Sequence, residues 1–241
     1  MIAPRFRSWA VTHPGARRTH NEDAYVDRPD LGIWAVADGA GGHAAGEVAS
    51  GMIAEALQAI PAGLPASQLL AQVRLAIEQT HRALREEAAR RGPDEIVAST
   101  VVVMLARGDH FACLWAGDSR AYLLRDGMLR QITRDHSLVQ ELLEAGAIGP
   151  DEVTNHPRGN VITRAVGAEL DEFALDKVSD RLVPGDRFLL CSDGLCKTLP
   201  EGELAHLLGA VDGVPPQALV DAALAAKVSD NVTAVTVEFT G

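Results

Sequence analysis

Between residues 97 and 131 three apolar runs, VASTVVVMLAR, HFACLWAGD and RAYLLRDGMLRQI, follow one another with no helix-length segment between them. Each reads as a strand, and Asp126-Gly127 is a hairpin turn signal. Strands joined by tight turns pair antiparallel, whereas parallel neighbours need a crossover that usually carries a helix. Helical patterns lie to either side of this middle. Residues 44–60 place Val48, Met52, Ala56 and Ile60 at helical spacing. Ser67 is the expected N-cap of a longer helix with Leu70, Val73, Ile77 and Leu84 on one stripe. His81 shares that stripe and reads as a packed histidine, while RALREEAARR reads as a solvated face with pairs such as Arg82 and Glu86. A short helix is expected at 137–145, followed by the long loop GAIGPDEVTNHPRGN. VITRAV and DRFLLCSD return to strand, and helices at 201–209 and 216–227 precede a last strand, NVTAVTVEF. The expected class is α+β: a central antiparallel β-sandwich flanked by helix pairs in α-β-β-α layers, a single domain over residues 1–241.

Charge and composition narrow the function. The formal net charge of −11 repels a phosphate backbone, so nucleic acid is not an expected partner. The longest apolar stretch, VASTVVVMLA, is about half of a membrane span, and the N-terminus carries Arg5 and Arg7 without an apolar signal region. Neither a membrane anchor nor secretion is expected. Cys113, Cys191 and Cys196 form an odd set with no paired CxxC, which points away from disulfides and zinc and toward a reducing cytoplasm. Cys113 and Cys191 read as small core residues.

Four aspartates share one local grammar. Asp38 follows GIWAVA, Asp118 follows FACLWAG, Asp193 follows RFLLCS, and Asp230 precedes Asn231 and VTAVTV. Any one of them is explained by the frequency of Asp in turns. Four strand-end carboxylates in one sheet-rich domain ask for cations if they converge, and all-oxygen donors suit Mg²⁺ or Mn²⁺. The segment GARRTHNEDAY adds further carboxylates at Glu22 and Asp23 behind a pair of arginines, Arg17 and Arg18, whose planar fork can grip two phosphate oxygens.

The segment GAGGHA, residues 39–44, also matches the glycine pattern of a dinucleotide fold. Asp38 would point its charge at the pyrophosphate, and no second strand or ribose-binding acid follows some twenty residues on. No G-K-[ST] is present for a P-loop either. The nucleotide reading is rejected.

Assembled, GARRTHNEDAY, VADGAGGHAAGEVAS, AST, WAGDSRAYLLRDGMLRQITRDHSL, NVITRAVG, DRFLLCSDGL and SDNVTAVTVE resemble the bacterial metal-dependent protein phosphatases, the protein phosphatase 2C-like serine/threonine phosphatases. The resemblance implies a β-sandwich flanked by helices and hydrolysis of phosphoserine or phosphothreonine by a water bridging two metals. It implies that Asp23, Asp38, the Gly39 carbonyl, Asp193 and Asp230 hold two Mn²⁺ or Mg²⁺ ions, and that Asp118 serves a third, weaker one. It implies Arg18 as the phosphate-binding residue, His43 as general acid, and Asn231 and Glu22 as supports behind the ligands. A flap at about 137–160, centred on Asn155, His156 and Pro157, would govern substrate choice. The departure is Ala40, where bacterial relatives often have methionine. Expected partners are phosphorylated proteins and an opposing Hanks-type serine/threonine kinase, with a type VI secretion setting as one pathway, the chain acting as a monomer. The competing readings are an inactive phosphoprotein-binding module, which predicts a lost ligand, and a hydrolase of small phosphate esters.

Overall fold

The computed structural model describes residues 5–41, 45–153, 156–168, 173–210 and 216–241. It opens with strands β1 (Phe6–His13), β2 (Asp23–Arg28) and β3 (Ile33–Ala40), then helices α1 (Ala45–Gln58) and α2 (Ala66–Arg91). Strands β4 (Ala98–Ser99), β5 (Val101–Arg107), β6 (His110–Ala116), β7 (Arg120–Arg125) and β8 (Met128–Gln131) follow without interruption. Helices α3 (Leu138–Glu144) and α4 (Pro150–Val153) lead to strands β9 (Asp176–Arg181) and β10 (Arg187–Cys191). Helices α5 (Asp193–Cys196), α6 (Glu201–Leu208) and α7 (Gln217–Ala225) precede β11 (Val232–Phe239). Among the described residues the strands form two antiparallel sheets, ordered β1-β11-β10-β7-β8 and β2-β3-β5-β6-β9, with β4 beside β3.

The strand alternation explains the layering. Successive side chains of a strand point to opposite faces. In β3 and β5, Trp34, Val36, Val102 and Met104 meet Phe188, Leu190, Val235 and Val237 of the other sheet. Their alternate neighbours Ile33, Ala35, Val101, Val103 and Leu105 pack instead on Ala49, Ile53, Leu57, Val73 and Ile77 of α1 and α2. On the far side, Leu189, Cys191, Val232 and Ala234 pack against Leu195, Leu204, Leu208, Leu219 and Val220 of α5–α7. Both faces of each sheet's centre are thus buried, which is why these strands read as continuous apolar runs. Each buried Val, Leu, Ile or Phe contributes about 1.5–3 kcal/mol. The expected α+β sandwich with helices outside is the observed arrangement.

Several local expectations need correction. The long helix starts at Ala66 with Pro65 as N-cap and no side-chain cap, so Ser67 lies inside its first turn. Its ion pairs join Arg90 and Arg91 to Glu87 rather than Arg82 to Glu86. VITRAV does not form a strand; Ile162 and Val166 make isolated bridges to Ser137 and Ser99. The expected loop after residue 145 contains the single turn α4. His81 is buried as expected, its Nδ1 accepting from the Gly167 amide at 3.0 Å and its ring stacked on Phe173 at 4.3 Å. Cys113 and Cys191 are buried core residues.

Candidate metal centre

One end of the sandwich collects the acids. Asp23 begins β2 and is the register partner of Asp38 near the end of β3. Cys191, the last residue of β10, pairs with Ala234 of β11 and with Arg120 of β7. That pairing brings Asp193, just past β10, to the same rim as Asp230, just before β11, and Asp118, just before β7. Antiparallel pairing within each sheet, and the packing of one sheet on the other, together convert residues scattered from 23 to 230 into one cluster.

Asp23 is held across the sheet interface. It is 8% exposed, and its Oδ2 accepts from Ser192 Oγ at 2.7 Å and from Thr233 Oγ1 at 2.6 Å. Thr233 also shares a hydrogen bond with Thr12 at 2.7 Å, and its amide donates to Ser192 Oγ at 3.0 Å. Asp23 Oδ1 is buried without a hydrogen-bond partner. Around Asp38 the backbone carbonyl accepts from the Thr100 amide at 2.8 Å and from Ser99 Oγ at 2.9 Å. Thr100 in turn bonds Ser119 beside Asp118.

Asp118 is 1% exposed, with Oδ2 accepting from Lys197 Nζ at 2.8 Å and Oδ1 buried without a partner. The same Nζ donates to Asp193 Oδ2 at 2.8 Å, because the single turn α5 sets Lys197 four residues after Asp193. The acids raise one another's proton affinity. Burial lifts Asp23 to about 7, with the charges of Asp193 and Asp230 acting in the same direction. Burial and then the charges of Asp23, Asp193, Asp118 and Asp230 hold Asp38 well above the usual carboxylate range. Burial and Asp193 raise Asp118 against the opposing pull of Lys197. Among the described residues no three His, Cys, Asp or Glu side chains close into a ready metal cage. The acids stand as linked pairs, Asp23 opposite Asp38 and Asp118 bridged to Asp193. Crowded carboxylates with two buried, unpartnered oxygens are a donor set suited to hard divalent cations.

The loop between β1 and β2 is clamped onto the same rim. Asn231 Nδ2 donates to the carbonyls of Pro14 at 3.0 Å and His20 at 2.9 Å, and its Oδ1 accepts from the Glu22 amide at 2.8 Å. Gly15, at φ +82°, brings its backbone so close that a Cβ would lie 2.0 Å from the Asp230 carbonyl oxygen. A Cβ on Gly39 would lie 2.2 Å from the Gly46 carbonyl oxygen, which leaves only glycine where β3 meets the start of α1. Arg18 is exposed and donates to Asp230 Oδ2 at 3.0 Å. Half-buried Glu22 has its carboxyl raised, burial being the main cause and the Arg18 charge opposing it.

The structure therefore brings Arg18, Glu22, Asp23, Asp38, Gly39, Asp118, Asp193, Asp230 and Asn231 to one rim. His43 and Asn155 lie outside the described residues. His156 and Pro157 occupy a local turn in which His156 Nδ1 accepts from the Arg158 amide at 3.2 Å. The sequence reading missed Lys197, Ser192 and Thr233. For Lys197 the available signal was its i,i+4 spacing from Asp193; for the two hydroxyls there was none, since their partner Asp23 is 169 residues from Ser192 and 210 from Thr233.

Comparison with known proteins places this site in context. Residues 15–211 match the family Protein phosphatase 2C. The serine/threonine protein phosphatase PstP of Mycobacterium tuberculosis is 37% identical over 223 residues, covering 92% of this chain and 42% of PstP. The chain thus spans less than half the length of that relative. Among solved structures, PppA, described as a key regulatory component of T6SS in Pseudomonas aeruginosa, is 43% identical with a TM-score of 0.89 over 97% of both chains. The catalytic domain of PstP in complex with two manganese ions has a TM-score of 0.87 and 33% identity, covering 98% of this chain and 99% of that one.

Proposed function

Because the chain belongs to the protein phosphatase 2C family, we propose that it hydrolyses phosphoserine and phosphothreonine esters in proteins, using two Mn²⁺ or Mg²⁺ ions held by Asp23, Asp38, the Gly39 carbonyl, Asp193 and Asp230. The observation that carries this reading is the crowding of five aspartates on one rim of the sandwich, with Asp23 Oδ1 and Asp118 Oδ1 buried and unpartnered. When bound, such ions lower the pKa of water and offset charge on the phosphoryl oxygens during in-line displacement.

The chain's own residues do the rest. Ser192 and Thr233 fix Asp23 through one oxygen and leave the other for a ligand. Asn231 holds the 14–22 loop, and with it Arg18, in place. Arg18 exchanges Asp230 for the substrate phosphate, which its guanidinium grips by two oxygens. His43 protonates the departing serine or threonine oxygen. The flap around Asn155, His156 and Pro157 selects among phosphoproteins, in a single catalytic domain acting as a cytoplasmic monomer. The 43% identity to PppA supports a role in type VI secretion control, opposing a Hanks-type kinase.

The test is phosphate release from a phosphothreonine peptide by purified protein, with Mn²⁺ and after exhaustive chelation. Release that depends on Mn²⁺ or Mg²⁺ supports the reading. Undiminished release after chelation overturns it.

A further inference from the structure

The carboxylate pair Asp118–Asp193 differs from the pair Asp23–Asp38 in one respect: it already holds a cation. Lys197 Nζ lies 2.8 Å from an oxygen of each acid. Asp118 is almost wholly enclosed, and its other oxygen has no partner. The ammonium is delivered by the chain itself, on the single helical turn that starts at Asp193, so its local concentration between the two acids is that of a tethered ligand. Lys197 further anchors its own amide on the Asp193 carbonyl at 2.8 Å, which ties the backbone of donor and acceptor together.

We propose that the Lys197 ammonium occupies the seat between Asp118 and Asp193, so that this chain carries a built-in monovalent cation where the family resemblance placed a third, weaker divalent ion. The inference rests on the phosphatase reading for the two other ions. A divalent ion joining Asp118 to Asp193 would have to expel the ammonium and then stand beside it, and like charges at that range repel. The chain therefore saturates with two ions. Asp118 acts as the lysine's anchor, and the third position is filled in every molecule without regard to the metal supply.

The experiment counts ions rather than turnover. Metal-stripped protein is dialysed against a Mn²⁺ series, with bound manganese measured by atomic absorption and free Mn²⁺ by electron paramagnetic resonance. Wild type and Lys197→Arg, which keeps the charge, are expected to saturate at two ions. Lys197→Met and Lys197→Gln are expected to take a third, filling at a Mn²⁺ concentration at least about tenfold below any third event in wild type, equivalent to about 1.4 kcal/mol. The double variant Lys197→Met/Asp118→Asn should return to two, and circular dichroism checks that each variant folds. Three ions in wild type at the same free Mn²⁺, or two in both neutral variants, overturn the lysine inference and leave the phosphatase reading intact. No bound manganese in wild type overturns both.

Discussion

Asp23 and Asp38 are register partners across β2 and β3, and after burial the charge of Asp23 is what most raises the Asp38 carboxyl. Two acids that would repel each other if both ionised are set side by side by backbone hydrogen bonding, whose geometry they cannot relax. Fold stability and ion binding are thereby coupled.

The first consequence is a pH dependence of the metal-free protein. Asp23 is raised from an unfolded value of 3.8 to about 7. Between these values the folded state binds more protons than the unfolded one, so this contribution is full below about pH 4 and is lost as pH rises through 7. In EDTA the Tm should fall by several degrees between about pH 5 and about pH 8, and added Mn²⁺ should restore it at the upper end. A calorimetric Tm that climbs with pH through that window in EDTA would contradict the arrangement.

Asp38→Asn separates the two roles of the same carboxylate. Removing the charge relieves repulsion by Asp23, Asp193, Asp118 and Asp230, so the metal-free Tm should rise. Peptide kcat/KM with Mn²⁺ should fall on the order of 100- to 1000-fold. A variant both less stable and fully active would refute the assignment.

Asn231→Ala removes three hydrogen bonds that pin the 14–22 loop. The loss should cost about 1–3 kcal/mol in denaturant unfolding, since the carbonyls and amide it served lose their partner. Because Arg18 rides on that loop, KM for the phosphopeptide should also rise. Unchanged stability and KM would show that the loop is held by other contacts.

His43→Ala tests the proton donor through the leaving group. A serine or threonine alkoxide leaves poorly unless protonated, whereas p-nitrophenolate needs no help. The variant should lose roughly 100-fold or more on a phosphothreonine peptide and far less on p-nitrophenyl phosphate at matched Mn²⁺. Equal losses on both substrates would assign His43 to positioning.

The sandwich and its acids were legible because both rest on short-range signals. Strands buried on two faces leave uninterrupted apolar runs such as IWAVA and RFLLC, and these two runs lead directly into Asp38 and, one residue on, Asp193. Strand β9, DKVSDR, was not legible: it is a charged, exposed edge strand with almost no apolar residue to announce it. Strand β1 was hidden too, since its Phe6 and Ala10 face the other sheet while Trp9 and Val11 face α5–α7, each only half-buried. VITRAV misled for the opposite reason, being apolar enough for a strand but held by only two isolated bridges. The hydroxyls on Asp23 and the reach of Lys197 to Asp118 depend on which rims meet in three dimensions, and no local pattern encodes that.

The bonds from Asp23 to Ser192 and Thr233 cross from one sheet to the other at the end of the apolar seam formed by Trp34, Phe188 and Val235. The seam therefore works as a gauge block: its thickness sets the spacing between acids carried on opposite leaves. A substitution that swells or thins it, far from any carboxylate, reaches the site as a change in span. The calibration of the chemistry is kept in the hydrocarbon interior.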